Sequence, residues 1–373
     1  MSKPADRPPF RADHVGSLLR PESLAKARSE FEAGRIGRDA LAAIEDECVR
    51  EAVALQEGVG LKGITDGDMR RGDWLQDFQY AIDGIGQSGK TVAIAFSGGK
   101  VFHNPIAAVT GRVRCPEGGI MLEAFKFLKA TTHQTAKLCI PAPSMFYNSV
   151  RQKELESGGV YDDWEEFWAD LSSAYATAVQ QYADAGCTYI QIDDVNAAKT
   201  GDKRSHEQWK AQGFTVADMV DRFITVNNDA IKSRPQGVTC TVHMCRGNFE
   251  SEYSLEGGYD FMAERYFDGV KADAFFMEYD DARSGGFEPL RFMPRDRYVV
   301  LGLITSKRPQ LEDKDLIKRR IDEATKYVDL DRLCLSPQCG FASTEVGNRL
   351  TQDEQKRKLE HVVEIATEVW GGV

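Results

Sequence analysis

Hydrophobic and polar positions along the chain follow two alternating periods. Short runs rich in apolar residues recur around positions 14, 65, 140, 190, 242, 276, 301 and 335 (RADHVGS, KGITDGD, AKLCIPAP, TYIQID, VTCTVHMC, ADAFFMEY, YVVLGLIT and RLCLSP). Their length and composition predict strands. Between them, residues 39–60, the stretch from Trp164 (WEEFWADLSSAYATAVQQYADAG), the stretch from Lys314 (KDLIKRRIDEATKYV) and residues 352–370 place apolar side chains three and four apart, which predicts amphipathic helices. Gly60 and Gly186 stand where the C-terminal caps of two of them should fall. Eight strands alternating with helices, without a nucleotide-binding glycine fingerprint, predict a (β/α)8 TIM barrel over an open doubly wound sheet. Residues 85–120 break the rhythm. They read as a β-hairpin insertion between strands 2 and 3, with SGGK as its turn.

No repeat or low-complexity linker divides the sequence, so residues 1–373 are read as one domain. A barrel of about 250 residues with insertions accommodates that length. The net charge of −11 and the even spread of basic residues exclude a positive stripe, and with it a nucleic-acid or anionic-membrane partner. No window reaches the roughly 18 consecutive apolar residues of a membrane span. The polar, proline-rich start MSKPADRPPFRADHVGS lacks the apolar core of a secretory signal, so a cytoplasmic location is expected. Nothing in the sequence fixes an oligomeric state.

Eight cysteines in such a chain point to metal or catalytic use before a disulfide framework. Cys139, Cys187, Cys240 and Cys334 lie inside apolar runs and read as small buried hydrophobes. Cys48, on a predicted helix, and Cys115, in the turn-like RCPEGG, carry no motif. Cys245 and Cys339 differ because they stand at predicted strand ends, where a barrel carries its chemistry. His243 and Cys245 are two apart and share a face of an extended chain. Glu278 ends the sixth strand, and Cys339 follows the eighth within Ser336-Pro337-Gln338-Cys339-Gly340. One imidazole, two thiolates and one carboxylate suit tetrahedral Zn2+. Taken alone, His243-x-Cys245 is a weak signal, and a histidine there could equally be a satisfied core residue. Zinc already holding two thiolates is a weak Lewis acid toward water, but it can present a substrate thiol as a nucleophilic thiolate. This donor set therefore favours alkyl transfer to sulfur over hydrolysis.

With His243-x-Cys245, Glu278, the SPQCGF segment around Cys339, HVGS (14–17), DGD (66–68) and IQID (190–193), the chain resembles the catalytic barrel of the cobalamin-independent methionine synthase family over nearly its whole length. The resemblance implies zinc on His243, Cys245, Glu278 and Cys339, and a homocysteine-like thiol beside it. It implies an S-methyltransferase of the 5-methyltetrahydropteroyltriglutamate–homocysteine type. It assigns Gly16 and Ser17 to the substrate carboxylate, and Asp68 and Asp193 to its ammonium. Side chains of these types could make such charge-assisted bonds. Asp68 could also form only a turn with an ion pair to Arg70 or Arg71, and Ser17 could merely bound a turn. Asp194, beside Asp193, has even claims to a binding and a structural role. Arg112 and Arg246 could approach an anionic substrate or cofactor tail, but the solvated surface is the expectation for both; Trp74 and Phe146 could stack on a flat donor such as a pterin, but the core is the expectation for each.

The chain departs from the family at four points, one of them a long loop from Cys245 to Glu278 rich in Gly, Glu and Tyr. It has the length of one barrel, where full-length members carry two. The family's D-x-H-S run is replaced by Leu303-Ile304-Thr305-Ser306-Lys307, which lacks the histidine that would protonate a departing folate nitrogen. The family's I-D-E-P becomes Ile192-Asp193-Asp194-Val195. The expected donor is a methylated folate. The alternatives are a corrinoid or other alkyl donor, or a different thiol. Two further readings are a metal-free decarboxylase on a related barrel, indifferent to Cys339→Ser, and a purely structural zinc site. Ligands spread over nearly a hundred residues argue against the last, because structural sites use short local spacings.

Overall fold

Seven parallel strands build the sheet that carries the candidate ligands. The computed structural model describes residues 7–147 and 159–373. Its strands are β1 (Gly63–Ile64), β2 (Asp83–Ala95), β3 (Val101–Arg114), β4 (Thr135–Pro141), β5 (Tyr189–Asp193), β6 (Thr239–Met244), β7 (Ala274–Glu278), β8 (Tyr298–Ile304) and β9 (Leu333–Pro337). The sheet order is β1-β4-β5-β6-β7-β8-β9, and every neighbouring pair is parallel. Strands β6, β7 and β9 are buried almost throughout, which explains their unbroken apolar runs.

Seven of the eight expected sheet strands are present. The expected first strand, near residue 14, is not: it shrinks to one parallel bridge between Ala12 and Leu335. The local chemistry explains the loss. Asp13 turns its carboxylate back on the chain and accepts from the amides of Phe10 (3.1 Å) and His14 (2.8 Å), so these donors are used locally and cannot serve a ladder. The segment still lies between the two edge strands. Asp13 N–H donates to Leu335 O and Leu335 N–H to Arg11 O, each at 2.9 Å, while the His14 ring meets Gly63 O at 3.0 Å. The sheet is thus curled, with a side-chain-stitched segment where a closed eight-stranded barrel was expected.

The four expected helices are found at Arg38–Gly58, Trp164–Asp184, Lys314–Ala324 and Gln352–Trp370. Asp163 and Asp313 cap the second and third, and Thr351 with Glu354 forms a capping box on the fourth. Gly60 and Gly186, both at positive φ, end two of them as expected. The inserted segment is a separate two-stranded antiparallel sheet of β2 and β3, turning at Ser97–Gly99 with Phe96 N–H donating to Lys100 O.

Under the sheet's amino-terminal end lies a charged plug. Lys137 Nζ is fully buried, 2.9 Å from Asp13 Oδ1, and sits over the rings of Phe276 (4.2 Å) and Tyr189 (4.8 Å). Tyr189 donates to the other Asp13 oxygen at 2.8 Å. Removing one partner of such a pair strands the other charge. Lys137→Met should therefore cost about 3–5 kcal/mol of stability, read as a lower urea midpoint.

Burial, helped by the Lys137 charge, depresses His14 to about 4 from its ordinary 6.5. The unfolded chain then binds the proton that the fold refuses. His14 should contribute a loss of stability as pH falls from 6.5 toward 4, with no change above that window. Thermal melts of wild type and His14→Asn across this range check the contribution.

Candidate metal centre and substrate pocket

Sheet register brings the four candidate ligands together. Asp193 pairs with His243 across β5 and β6, His243 pairs with Phe276, and Glu278 pairs with Gly302 at the carboxyl end of β7. Strand alternation puts Cys245, just past β6, on the side of His243. Cys339 follows β9 in a loop fixed from below: Gln338 N–H donates to Ile304 O (2.8 Å), and the Ser306 hydroxyl donates to Gly340 O (2.9 Å). Gly302 permits this approach, since a Cβ there would lie 2.7 Å from the Gln338 Cα.

The ligand atoms of His243, Cys245, Glu278 and Cys339 all lie within 4.8 Å of one another, and all four residues are buried. The two sulfurs are 3.5 Å apart. Tetrahedral zinc with Zn–S bonds of about 2.3 Å would hold them only slightly farther apart. Among the described residues neither ring nitrogen of His243 has a hydrogen-bond partner, a costly state for a buried imidazole unless a metal takes one of them. Glu278 is aimed by two donors, the Arg246 amide on Oε1 (2.6 Å) and Arg283 on Oε2 (2.7 Å), and each oxygen keeps a further lone pair. The donor set fits a divalent cation.

Electrostatics in the cluster are polarised. The Cys339 thiol is held well below its ordinary value, first by the Cys245 S–H that donates to it, then by His243 and Lys307. Cys245 is pushed up as that donor and by burial. Burial alone would depress His243, but Cys339, Asp193 and Glu278 outweigh it and raise the ring. A bound cation would take Cys339 as a thiolate and would still have to displace the Cys245 proton.

A cavity of about 140 Å3 opens beside the ligands and is reached by Ser17, Asp68, Asp193, His243, Cys245 and Cys339. Burial raises the Asp193 carboxyl to about 7, against the opposing charge of His243; Oδ1 accepts from Gln191 at 2.8 Å. Asp68 lines the cavity at positive φ and also pairs with Arg71 at 3.3 Å, the local ion pair that the sequence offered as its alternative role. The Ser17 hydroxyl accepts from Ala342 N–H at 3.4 Å. Gly16 lies against Cys139, whose sulfur would be 2.7 Å from a Cβ there.

Asp194 proves structural. It is buried, caps the helix Val195–Lys199, and accepts from Ser144 and Tyr266 (each 2.8 Å) and Asn227 (2.7 Å). Arg112 is exposed as expected, pairing with Glu166 at 2.8 Å. Arg246, expected at the surface, is instead completely buried over the Tyr259 ring. The polar run RGNFESE hid this, because the Arg246 amide serves Glu278 and the loop folds inward. Phe146 is in the core, whereas Trp74 lines the cavity while packing on the core edge.

Residue-by-residue reading missed a whole wall of the cavity. The inserted hairpin supplies Ile94, Phe96, Phe102 and Asn104, and Phe249 joins the two phenylalanines at centroid distances of 5.5 and 5.0 Å. Two phenylalanines flanking a tight turn in AFSGGKVF were the available signal, since such a turn rarely exposes both. Lys199, on the helix after β5, was missed as well.

The family model for the catalytic domain of cobalamin-independent synthases matches residues 10–368. The chain is 46% identical to the uncharacterized protein YxjG of Bacillus subtilis (strain 168), over 98% of this chain and 96% of that one. It is 22% identical to the 5-methyltetrahydropteroyltriglutamate–homocysteine methyltransferase of Lactococcus lactis subsp. cremoris (strain SK11), covering 95% of this chain but 42% of that protein. Its fold superposes on the putative vitamin-B12-independent methionine synthase of Listeria monocytogenes with a TM-score of 0.76 and 34% identity, covering 97% and 98% of the two chains. The chain belongs to the cobalamin-independent synthase catalytic-domain family and is a methyltransferase. No helix among the described residues is long and apolar enough to cross a membrane.

Zinc added to metal-free protein should bind one ion per chain, and Cys245→Ala or Cys339→Ala should lose it. Native mass spectrometry of the three proteins reads the result directly.

Proposed function

We propose that the chain methylates the thiol of homocysteine to form methionine, with Zn2+ on His243, Cys245, Glu278 and Cys339 and a methylated folate as donor. The observation that carries this reading is the buried four-ligand cluster opening onto a cavity whose other polar groups suit an amino-acid zwitterion. Zinc held by these ligands supplies the deprotonation of the substrate thiol and keeps it as a thiolate. Asp193 and Asp68 receive the ammonium. Asp193 is the stronger partner, because a cation beside it would draw its raised carboxyl back to the ionised form. Ser17 and the amides around Gly16 receive the carboxylate.

Phe96, Phe102, Phe249 and Trp74 form an apolar face of the cavity suited to a flat donor, and they exclude water from it. A new S–CH3 bond forms as the donor's N–CH3 bond breaks, and the departing nitrogen takes a proton from solvent that offsets the one the substrate thiol gave up. The run Leu303-Ile304-Thr305-Ser306-Lys307 offers no imidazole for that proton. The name of the Lactococcus relative supports a folate-type donor. The comparisons lend a corrinoid donor no support.

The architecture read here is a (β/α)8 barrel whose first strand is reduced to the Ala12–Leu335 bridge, one domain over residues 1–373. A reducing cytoplasm suits eight free cysteines.

The test is methionine formation from homocysteine and 5-methyltetrahydrofolate, with homocysteine binding followed in Co2+-substituted protein. A spectrum indifferent to homocysteine but perturbed by another thiol would replace the acceptor. Asp193→Asn should raise the homocysteine KM about tenfold, equivalent to about 1.4 kcal/mol. Phe102→Ala should raise the KM of the donor and leave homocysteine affinity unchanged, which steady-state kinetics with each substrate varied in turn will separate.

A further inference from the structure

Two buried cations beside the ligand cluster have no counter-ion of their own. Arg246, next to Cys245 in sequence, is 0% exposed. Its guanidinium lies 4.4 Å from the Tyr259 ring centroid, and none of its three nitrogens meets an acceptor among the described residues. Lys307 is 7% exposed, and its ammonium likewise has no partner there. Its position is fixed through the preceding residue: Ser306 N–H donates to Gln338 Oε1 (2.6 Å), and the Ser306 hydroxyl donates to Gly340 O (2.9 Å), the residues on either side of Cys339.

The other buried cations among the described residues are matched. Lys137 pairs with Asp13, Arg71 with Asp68, Arg28 with Glu345, Lys358 with Glu312, and Arg11 donates to two carbonyls. Arg283, also at the cluster, is held by Glu278 and Asp280. A desolvated charge without a partner is disfavoured, so the exceptions call for an anion. The four ligands supply one. A divalent cation on two thiolates, one carboxylate and a neutral imidazole leaves one net negative charge, and an added substrate thiolate makes it two.

We propose that Lys307 and Arg246 are positioning residues that neutralise the thiolate-rich metal site and so allow it to accept a third thiolate, that of the substrate. The inference rests on the zinc–thiol reading above and assigns it two residues that do not line the cavity. Outer groups of this kind tune metal affinity and ligand ionisation without touching the ion.

The experiment uses the full chain loaded with Zn2+ or Co2+, comparing Lys307→Met with Lys307→Arg. The sulfur-to-cobalt charge-transfer band on homocysteine addition is followed against pH, and zinc affinity is measured by chelator competition. Lys307→Met should move the midpoint of thiolate uptake up by about one pH unit and weaken homocysteine binding at neutral pH about tenfold, and Lys307→Arg should restore both. A Lys307→Met protein with native circular dichroism and an unchanged midpoint and metal affinity overturns the proposal. Should Lys307→Met fail to fold, Arg246→Met against Arg246→Lys carries the same comparison with the same outcomes. Wild-type protein that takes up no metal sinks the zinc reading itself. Wild type that binds metal and homocysteine, beside an unaltered Lys307→Met, sinks only this one.

Discussion

Everything at the functional end of this molecule answers to one cost: an imidazole, two thiols and a carboxylate are buried within 4.8 Å of one another. An imidazole with both nitrogens unsatisfied, and two sulfurs sharing a proton, are poor solutions for an interior that ordinarily pairs its polar groups. A divalent cation would satisfy all of these groups at once. The Glu278 contacts to the Arg246 amide and Arg283 hold the carboxylate in its orientation, and the Gln338–Ser306 bonds hold the loop that delivers Cys339. The supporting structure is organised around the ligand atoms.

The parallel sheet makes that organisation possible. Adjacent strands in register bring their carboxyl ends to one rim, so residues 193, 243 and 278 become neighbours although 85 positions separate the first from the last. The wide sequence separation is what sets this cluster apart from a local metal knuckle. The opposite end of the sheet solves a different problem. There the Lys137–Asp13 pair and its aromatic neighbours fill the interior where the N-terminal segment fails to form a ladder.

The hairpin of β2 and β3 gives the rim its cover. Its turn carries Phe96 and Phe102 onto Phe249, closing the cavity with an aromatic wall above the ligands. Full-length relatives such as the Lactococcus protein extend far beyond the region this chain matches. Here, the hairpin and the loop after β6 form the cavity's apolar side within the matched region itself.

Much of this was legible in the residues. Strand periodicity located seven of the eight sheet strands, the SGGK turn located the insertion, and the His243-x-Cys245 spacing with Glu278 and Cys339 at strand ends named four residues that the fold brings together. These features are local, set by period, turn chemistry and side-chain type. Others were decided only by tertiary structure. Asp13 turned its carboxylate on the amides that an eighth strand would have used. Asp194 and Asp193, adjacent and alike in sequence, parted because one met Ser144, Asn227 and Tyr266 while the other faced the cavity. Arg246, which opens a polar loop, was drawn inward over the Tyr259 ring and not out to water. A sequence specifies which groups can carry charge or donate bonds. Which of them lose water, and beside whom, depends on contacts between residues far apart in the chain, and those exist only once the sheet has curled.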